Sequence, residues 1–302
     1  MTTQKAGVKV QKIHLDITGV TDIAFSHTKG SGKKKKTQKC TKRQEFFKEV
    51  INLMNEEKVL DVGVTPYKFN FKLPDDARTS FKGKFGSIEY LAKAFVDIPW
   101  GKDGEGTLVL HVNKLNDLNT EMETLEKAEA QHQKTFGVLC FKSPPVTTNL
   151  VVNKSGFVCG EVMKVNVKVD NSSNKLIKEV QMHLTQVVTY HAMNLSKTEE
   201  IVIIDSKDLG EVPPGNDEVI DHLMEIPEIG PTQVNMALSF VLQFLLLFYS
   251  QEDKNSINIQ YKLRIDVIPD GFSLDGGGAE TEITIGNIPH KVTFVPFTHP
   301  TI

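Results

Sequence analysis

The sequence predicts an all-β chain built as two immunoglobulin-type β-sandwich lobes joined by a short linker. Three observations lead there. Apolar residues recur at a period of two in both halves: Ile88, Tyr90, Ala92, Ala94, Val96 and Ile98 in the first, then Ile257, Ile259, Tyr261, Leu263, Ile265 and Val267 in the second. That period marks a strand with one buried face. Turn clusters such as Asn171-Ser172-Ser173-Asn174 and Val212-Pro213-Pro214-Gly215 punctuate the chain, which favours sandwiches over a parallel α/β sheet. At 302 residues, the chain exceeds one ordinary domain, and two lobes of about 150 residues each are expected.

In chain order, Val8 and Val10, then Ile13, Leu15 and Ile17, read as one or two strands closed by Gly19. Residues 27–43 combine glycine with a dense lysine run, a solvated loop or a pair of ragged strand ends outside the core. From Gln44 to Glu57, Phe46, Phe47, Val50, Ile51 and Leu53 have a helical spacing, and a strand edge interrupted by a loop fits them as well. Tyr67, Phe69 and Phe71 alternate as a strand until Leu73-Pro74, and a polar turn leads through Ser80–Gly86 into the long strand around Tyr90. Pro99 stops that strand because proline cannot donate to a ladder. Thr107–Val112 completes the first lobe, assigned to 1–119.

Residues 120–134 are polar and helix-prone with few apolar anchors, and are assigned as the linker. The second lobe, 135–302, opens with the apolar run from Phe136 to Phe141. Val165, Val167 and Val169, then Val180, Met182 and Leu184, continue the alternation. Ile201–Ile204 is a short apolar strand, and Ile283 and Ile285 end the pattern before Gly286-Asn287-Ile288-Pro289. An apolar stretch, 236–256, lies within this lobe; its uncharged core Met236–Tyr249 is 14 residues long. A helix needs about 20 residues to cross a bilayer, so a membrane anchor is not expected.

Composition excludes several classes. Hydrophobic residues are 39%, charged residues 24% and the net charge is −3, which is ordinary for a soluble globular chain. Cys40, Cys140 and Cys159 are odd in number and far apart, so neither a disulfide framework nor a paired-cysteine metal site is expected. The nine histidines show no metal-ligand spacing. The glycines at 101–106 and 276–278 match neither a phosphate loop nor a dinucleotide fingerprint. No nucleophile elbow is present, so no catalytic residue and no cofactor is expected. Trp100 is assigned to packing at the end of the lobe.

The landmarks, taken in order, resemble the arrestin family, and most the alpha-arrestins, the arrestin domain-containing proteins. The first lobe supplies Phe69–Pro74, Ser80–Tyr90, Ala92–Trp100 and Asp117-Leu118-Asn119. The second supplies the strand with Cys140, Lys154–Glu161, Val169–Asn174, Ile226-Pro227, Ile259–Val267 and Ile285–Pro289. The resemblance implies two seven-to-eight-stranded sandwiches acting as an adaptor that passes membrane-protein cargo to ubiquitination, endocytosis or endosomal sorting. The implied location is cytoplasmic, at the plasma membrane and endosomes. A scaffold subunit of a sorting coat, similar to the retromer's arrestin-like subunit, is the other reading.

Family members carry about two strands before the one at Val8–Ile17, so an exposed sheet edge is expected in the first lobe. Relative to the family, the apolar stretch 236–256 is an insertion. Pro-Pro-x-Tyr motifs recruit ubiquitin ligases in the family; here Pro213-Pro214 precedes Gly-Asn and Pro144-Pro145 precedes Val-Thr. Recruitment through that motif is not expected. Whether Asp97 belongs to a buried charged cluster like that of the visual and beta-arrestins, which alpha-arrestins often lack, is left open by the sequence. The candidate binding residues are Lys29, Lys33, Lys34, Lys35, Lys36, Lys39, Lys42 and Arg43, the one concentrated positive stretch. It either holds acidic cargo tails or anionic lipid headgroups, at about 1 kcal/mol per basic residue near a membrane, or merely solvates a loop. Nucleic acid is not expected, because no aromatic side chains interleave the lysines as a stacking platform.

Overall fold

The computed structural model describes residues 2–30, 35–75, 77–136, 143–233, 256–271 and 277–291. Two compact units emerge, one built chiefly on Met1–Lys114 and one beginning at Leu115. Both are β-sandwich lobes, as expected. The apolar insertion 236–256, apart from Ser256, lies outside the described residues, as do Cys140 and most of the run from Phe136 to Phe141.

In the first unit the strands are β1 (Thr2–Thr3), β2 (Val8–Val10), β3 (Lys12–Lys29), β4 (Lys36–Met54), β5 (Lys58–Leu60), β6 (Gly63–Val64), β7 (Phe81–Lys82), β8 (Gly86–Asp97) and β9 (Gly104–Leu110). The main sheet runs β4-β3-β8-β7, with β9 also paired to β8, while β1–β6 and β2–β5 form two-stranded ribbons. β8 is the long strand that the sequence predicts around Tyr90. Its inward residues Ile88 and Tyr90 are at most 1% exposed, and each such burial stabilises by about 1.5–3 kcal/mol.

β3 does not end at Gly19; it continues to Lys29. Glycine serves close approach there, since a Cβ would lie 2.7 Å from the Phe46 ring and 3.1 Å from Tyr90. The stretch Gln44–Glu57 is strand rather than helix through Met54. Its helix-like spacing comes from two bulges. Gly19 pairs with Phe47 and Val20 with Glu45, leaving Phe46 as the extra residue; Ile13 pairs with Met54 and His14 with Asn52, leaving Leu53 extra. Each bulge shifts the side-chain parity, so adjacent residues such as Phe46 and Phe47 are both half-buried.

Two further expectations are corrected, and one question that the sequence leaves open is answered. Tyr67–Phe71 pairs in no ladder among the described residues; Tyr67 and Phe71 pack on the core from an extended segment, while Phe69 is 44% exposed. Trp100 is fully exposed at φ 61°, in the turn after β8, and packs nothing at the lobe's end. Asp97 is exposed rather than buried in a charged cluster. Pro99 follows the strand as read, with the Ile98 amide held by the Asp103 carboxylate at 3.1 Å.

The second unit contains β10 (Ala128–Lys134), β11 (Val146–Val152), β12 (Gly156–Val158), β13 (Val162–Asn171), β14 (Ile177–Ala192), β15 (Leu195–Ser206), β16 (Asn216–Glu225), β17 (Ile257–Pro269) and β18 (Glu280–Gly286). One sheet has the order β10-β11-β13-β16 and the other β12-β18-β17-β14-β15. Val165, Val167 and Val169 of the first and Met182, Leu184, Leu263 and Ile265 of the second are at most 2% exposed.

The stretch 120–134 differs most from its expected role as a linker. It holds short 3-10 turns at Leu118–Thr120 and Met122–Leu125 and then β10, whose seven residues pair with β11. β10 is an edge strand in which only Ala128 is buried, and its polar composition concealed it.

Candidate functional site

The residues that carried the family resemblance turn out to be structural fastenings. In the first unit, the Ser80 hydroxyl accepts the Val112 amide at 3.0 Å, and Gly83 N–H bonds the Gly86 carbonyl at 2.9 Å. In the second, Asn171 is fully buried. Its amide nitrogen donates to the carbonyls of Lys175 and Val212 at 2.8 Å and of Pro213 at 3.2 Å, and its oxygen accepts from the Ser173 hydroxyl. One side chain thus closes two turns, which explains the Asn-Ser-Ser cluster. Lys154 pairs with Glu161 at 2.9 Å and lies 4.9 Å from the Phe157 ring, while Glu161 also accepts the Val158 amide.

The triplet Asp117-Leu118-Asn119 and the segment Ile285–Pro289 fasten to each other. Asn116 donates to the Ile285 carbonyl at 3.2 Å, Asn119 to the Pro289 carbonyl at 2.9 Å, and the Lys291 amide to Asn119 at 2.8 Å. Leu118, fully buried, lies on Gly286, where a Cβ would come within 2.6 Å of it. Asp117 caps the turn by accepting the Asn119 amide at 3.0 Å, and hydrogen bonds from Asn119 hold its carboxyl below the ordinary value. Burial, reinforced by Glu123, pushes the Glu121 carboxyl up. Burial pushes the His290 imidazole down, and the Lys154 ammonium adds to it.

The lysine stretch is the arm formed by β3 and β4, which pair out to Lys29 and Lys36. Lys33 and Lys34 lie outside the described residues; Lys29, Lys35, Lys36, Lys39 and Arg43 are exposed and Lys42 is half-buried. The arm is not wholly outside the core, because Cys40 is fully buried opposite Phe25. That pair sets the faces. Lys42 opposite Ile23, and Lys36 opposite Lys29, share the parity of Cys40. Lys39 and Arg43 take the other parity with Thr37 and Thr41, and Lys35 precedes them in step. Thr28 and Thr37 meet at 3.1 Å and Arg43 bonds Asp22 at 2.8 Å on that second face. The lysines therefore divide between two faces, a split that the charge run in the sequence does not show.

β4 pairs only with β3 among the described residues, so its other edge is open. Among the described residues no group of acidic, histidine and cysteine side chains is arranged to hold a metal. His183 lies 2.9 Å from Asp205 and 3.8 Å from Asp266 on the outer face of its sheet. No described helix is long and apolar enough to cross a membrane.

The two β-sandwich lobes, with the turns that the signature residues fasten, make up the framework. Comparison with known proteins names the framework. Residues 1–119 match the arrestin (or S-antigen) N-terminal domain and residues 142–290 the arrestin (or S-antigen) C-terminal domain. Arrestin domain-containing protein 17 of Caenorhabditis elegans is 30% identical over 243 residues, covering 74% of this chain and 55% of the relative. The human arrestin domain-containing protein 4 is 26% identical over 216 residues, 71% of this chain and 51% of the relative. The mouse arrestin domain-containing protein 1 is 29% identical over 150 residues, 49% and 34%. The chain belongs to the arrestin family, of the alpha-arrestin, arrestin domain-containing type. It spans about half the length of the first of these relatives, and a third of the last.

Proposed function

We propose that the protein is a non-enzymatic adaptor that binds membrane-protein cargo and links it to ubiquitination, endocytosis and endosomal transport, working at the cytoplasmic face of the plasma membrane and endosomes. The observation that carries the reading is the β3–β4 arm. Its outward face alternates Lys35, Thr37, Lys39, Thr41 and Arg43 along a strand whose other edge is open among the described residues. An extended, acidic cargo segment adding to that edge gains backbone hydrogen bonds and meets a cation at every fourth residue, with a threonine between. Anionic lipid headgroups offer the same charge to the same face. The family signature residues, by contrast, are engaged in holding turns, which leaves binding to surfaces rather than to a cleft.

The test reverses charge on one face at a time. Lys35→Glu with Lys39→Glu should weaken binding to phosphorylated tail peptides and to anionic liposomes more than Lys29→Glu with Lys36→Glu. Unchanged binding to both in the first variant removes the arm from the function. Co-purification reads the wider role: ligases and transporters in substoichiometric amounts fit the adaptor, whereas a stoichiometric coat partner would make it a scaffold.

A further inference from the structure

We propose that His290 is a pH-sensitive latch that holds the turn Met122–Leu125 against the rest of its own unit, closed when the imidazole is neutral and open when it is protonated. The geometry starts at Thr124, which is 3% exposed. Its hydroxyl donates to the Glu121 carbonyl at 2.6 Å, so its single proton is committed. The His290 Nε2, 2.8 Å from the same oxygen, must then be the donor. Neutral His290 is the Nε2–H tautomer, and its Nδ1 is bare. That Nδ1 is buried and has no hydrogen-bond partner.

A second proton would therefore create a buried N–H without an acceptor, on a cation close to the Lys154 ammonium. The carboxylates that face the ring do not offset this. Glu161 is engaged by Lys154 through both oxygens and by the Val158 amide. Asp117 is engaged by the backbone and side-chain nitrogens of Asn119. Glu121 has its own carboxyl pushed toward the neutral form, and Lys291, the next residue, adds a second positive charge. The ring escapes by turning to water and leaving Thr124.

What it leaves is the turn's attachment. The Thr124 carbonyl accepts the Ser155 amide at 3.1 Å, and its side chain fills the space over Gly156, where a Cβ would meet it at 2.6 Å. The sign follows from linkage. The folded imidazole is pushed below the free value of 6.5, so the closed latch is fully present above 6.5 and is lost as the pH falls below it.

The experiment measures amide-hydrogen exchange of residues 122–126 at pH 7.5 and 5.5, corrected for intrinsic rates, in the wild-type chain and in His290→Gln. Glutamine keeps an N–H donor for Thr124 and does not titrate. Protection in the wild type should fall on the order of tenfold, the most that one proton allows at one pH unit below 6.5, and hold within about twofold in the variant. An equal fall in both, or none in the wild type, overturns the latch. Should the variant fail to fold, the imidazole of wild-type His290 is titrated by NMR. A midpoint below 6.5 with the Nε2–H tautomer at pH 7.5 is expected; a midpoint at or above 6.5, or the other tautomer, overturns it.

Discussion

The hydroxyl of Tyr90 closes a ring with the backbone of one residue: it accepts the N–H of Arg78 and donates to the carbonyl of the same residue, 2.8 Å each way. The tyrosine is fully buried in the central strand β8, and Arg78 is 9% exposed. One phenol thereby fastens the irregular segment before β7 to the middle of the sheet. Tyr90→Phe leaves the N–H and the C=O of Arg78 without these bonds. Urea unfolding should show a loss of about 1–3 kcal/mol with an unchanged m-value.

Asn171 satisfies three carbonyls from a buried position. Asn171→Ala strands them and opens a small cavity, so a loss of about 2–3 kcal/mol is expected in the same assay. Asn171→Asp should be worse at neutral pH, because a buried carboxylate cannot donate to a carbonyl. A variant as stable as the wild type would remove the turn-closing role.

Gly19 lies under the Phe46 ring at the bulge of β4. Gly19→Ala forces that ring aside, and with it the Arg78 guanidinium stacked 4.8 Å from its centre. The expected cost is about 1–3 kcal/mol, typical of overpacking. Gly19→Ala with Phe46→Ala should recover part of that loss, a coupling read by a double-mutant cycle.

Tyr261 is fully buried, and burial pushes its phenol up to about 12. Its hydroxyl donates to the Gly230 carbonyl and accepts from Gln186, both at 2.7 Å. Since the folded value is raised, this stability is complete below the ordinary value of 10 and is lost as pH rises toward about 12. Absorbance titration should show Tyr261 ionising well above the ordinary value of 10, together with unfolding. Tyr261→Phe should flatten the alkaline limb of the stability curve; an unaltered limb would mean another group governs it.

The sheets were legible in the sequence wherever one face meets the core. β8, β13 and β17 read directly from alternation, because a half-buried strand must alternate. The arm was legible as charge but not as two faces. β10 was hidden because an edge strand needs few apolar residues, and the Gln44–Met54 stretch because each bulge inserts one residue and mimics a helical step. Trp100, read as packing, is exposed, since nothing local decides whether a turn residue finds a neighbour.

Residue order alone determined the all-β character, the two-lobe division and the positive arm, since hydrophobic period and charge are local properties of a chain. Tertiary structure decided which lysines share a face, why Asp117-Leu118-Asn119 and Ile285–Pro289 exist as a pair, and that His290 meets Thr124 across 166 residues of sequence. Those depend on pairing register and on contacts between distant segments, and a linear pattern carries no term for either.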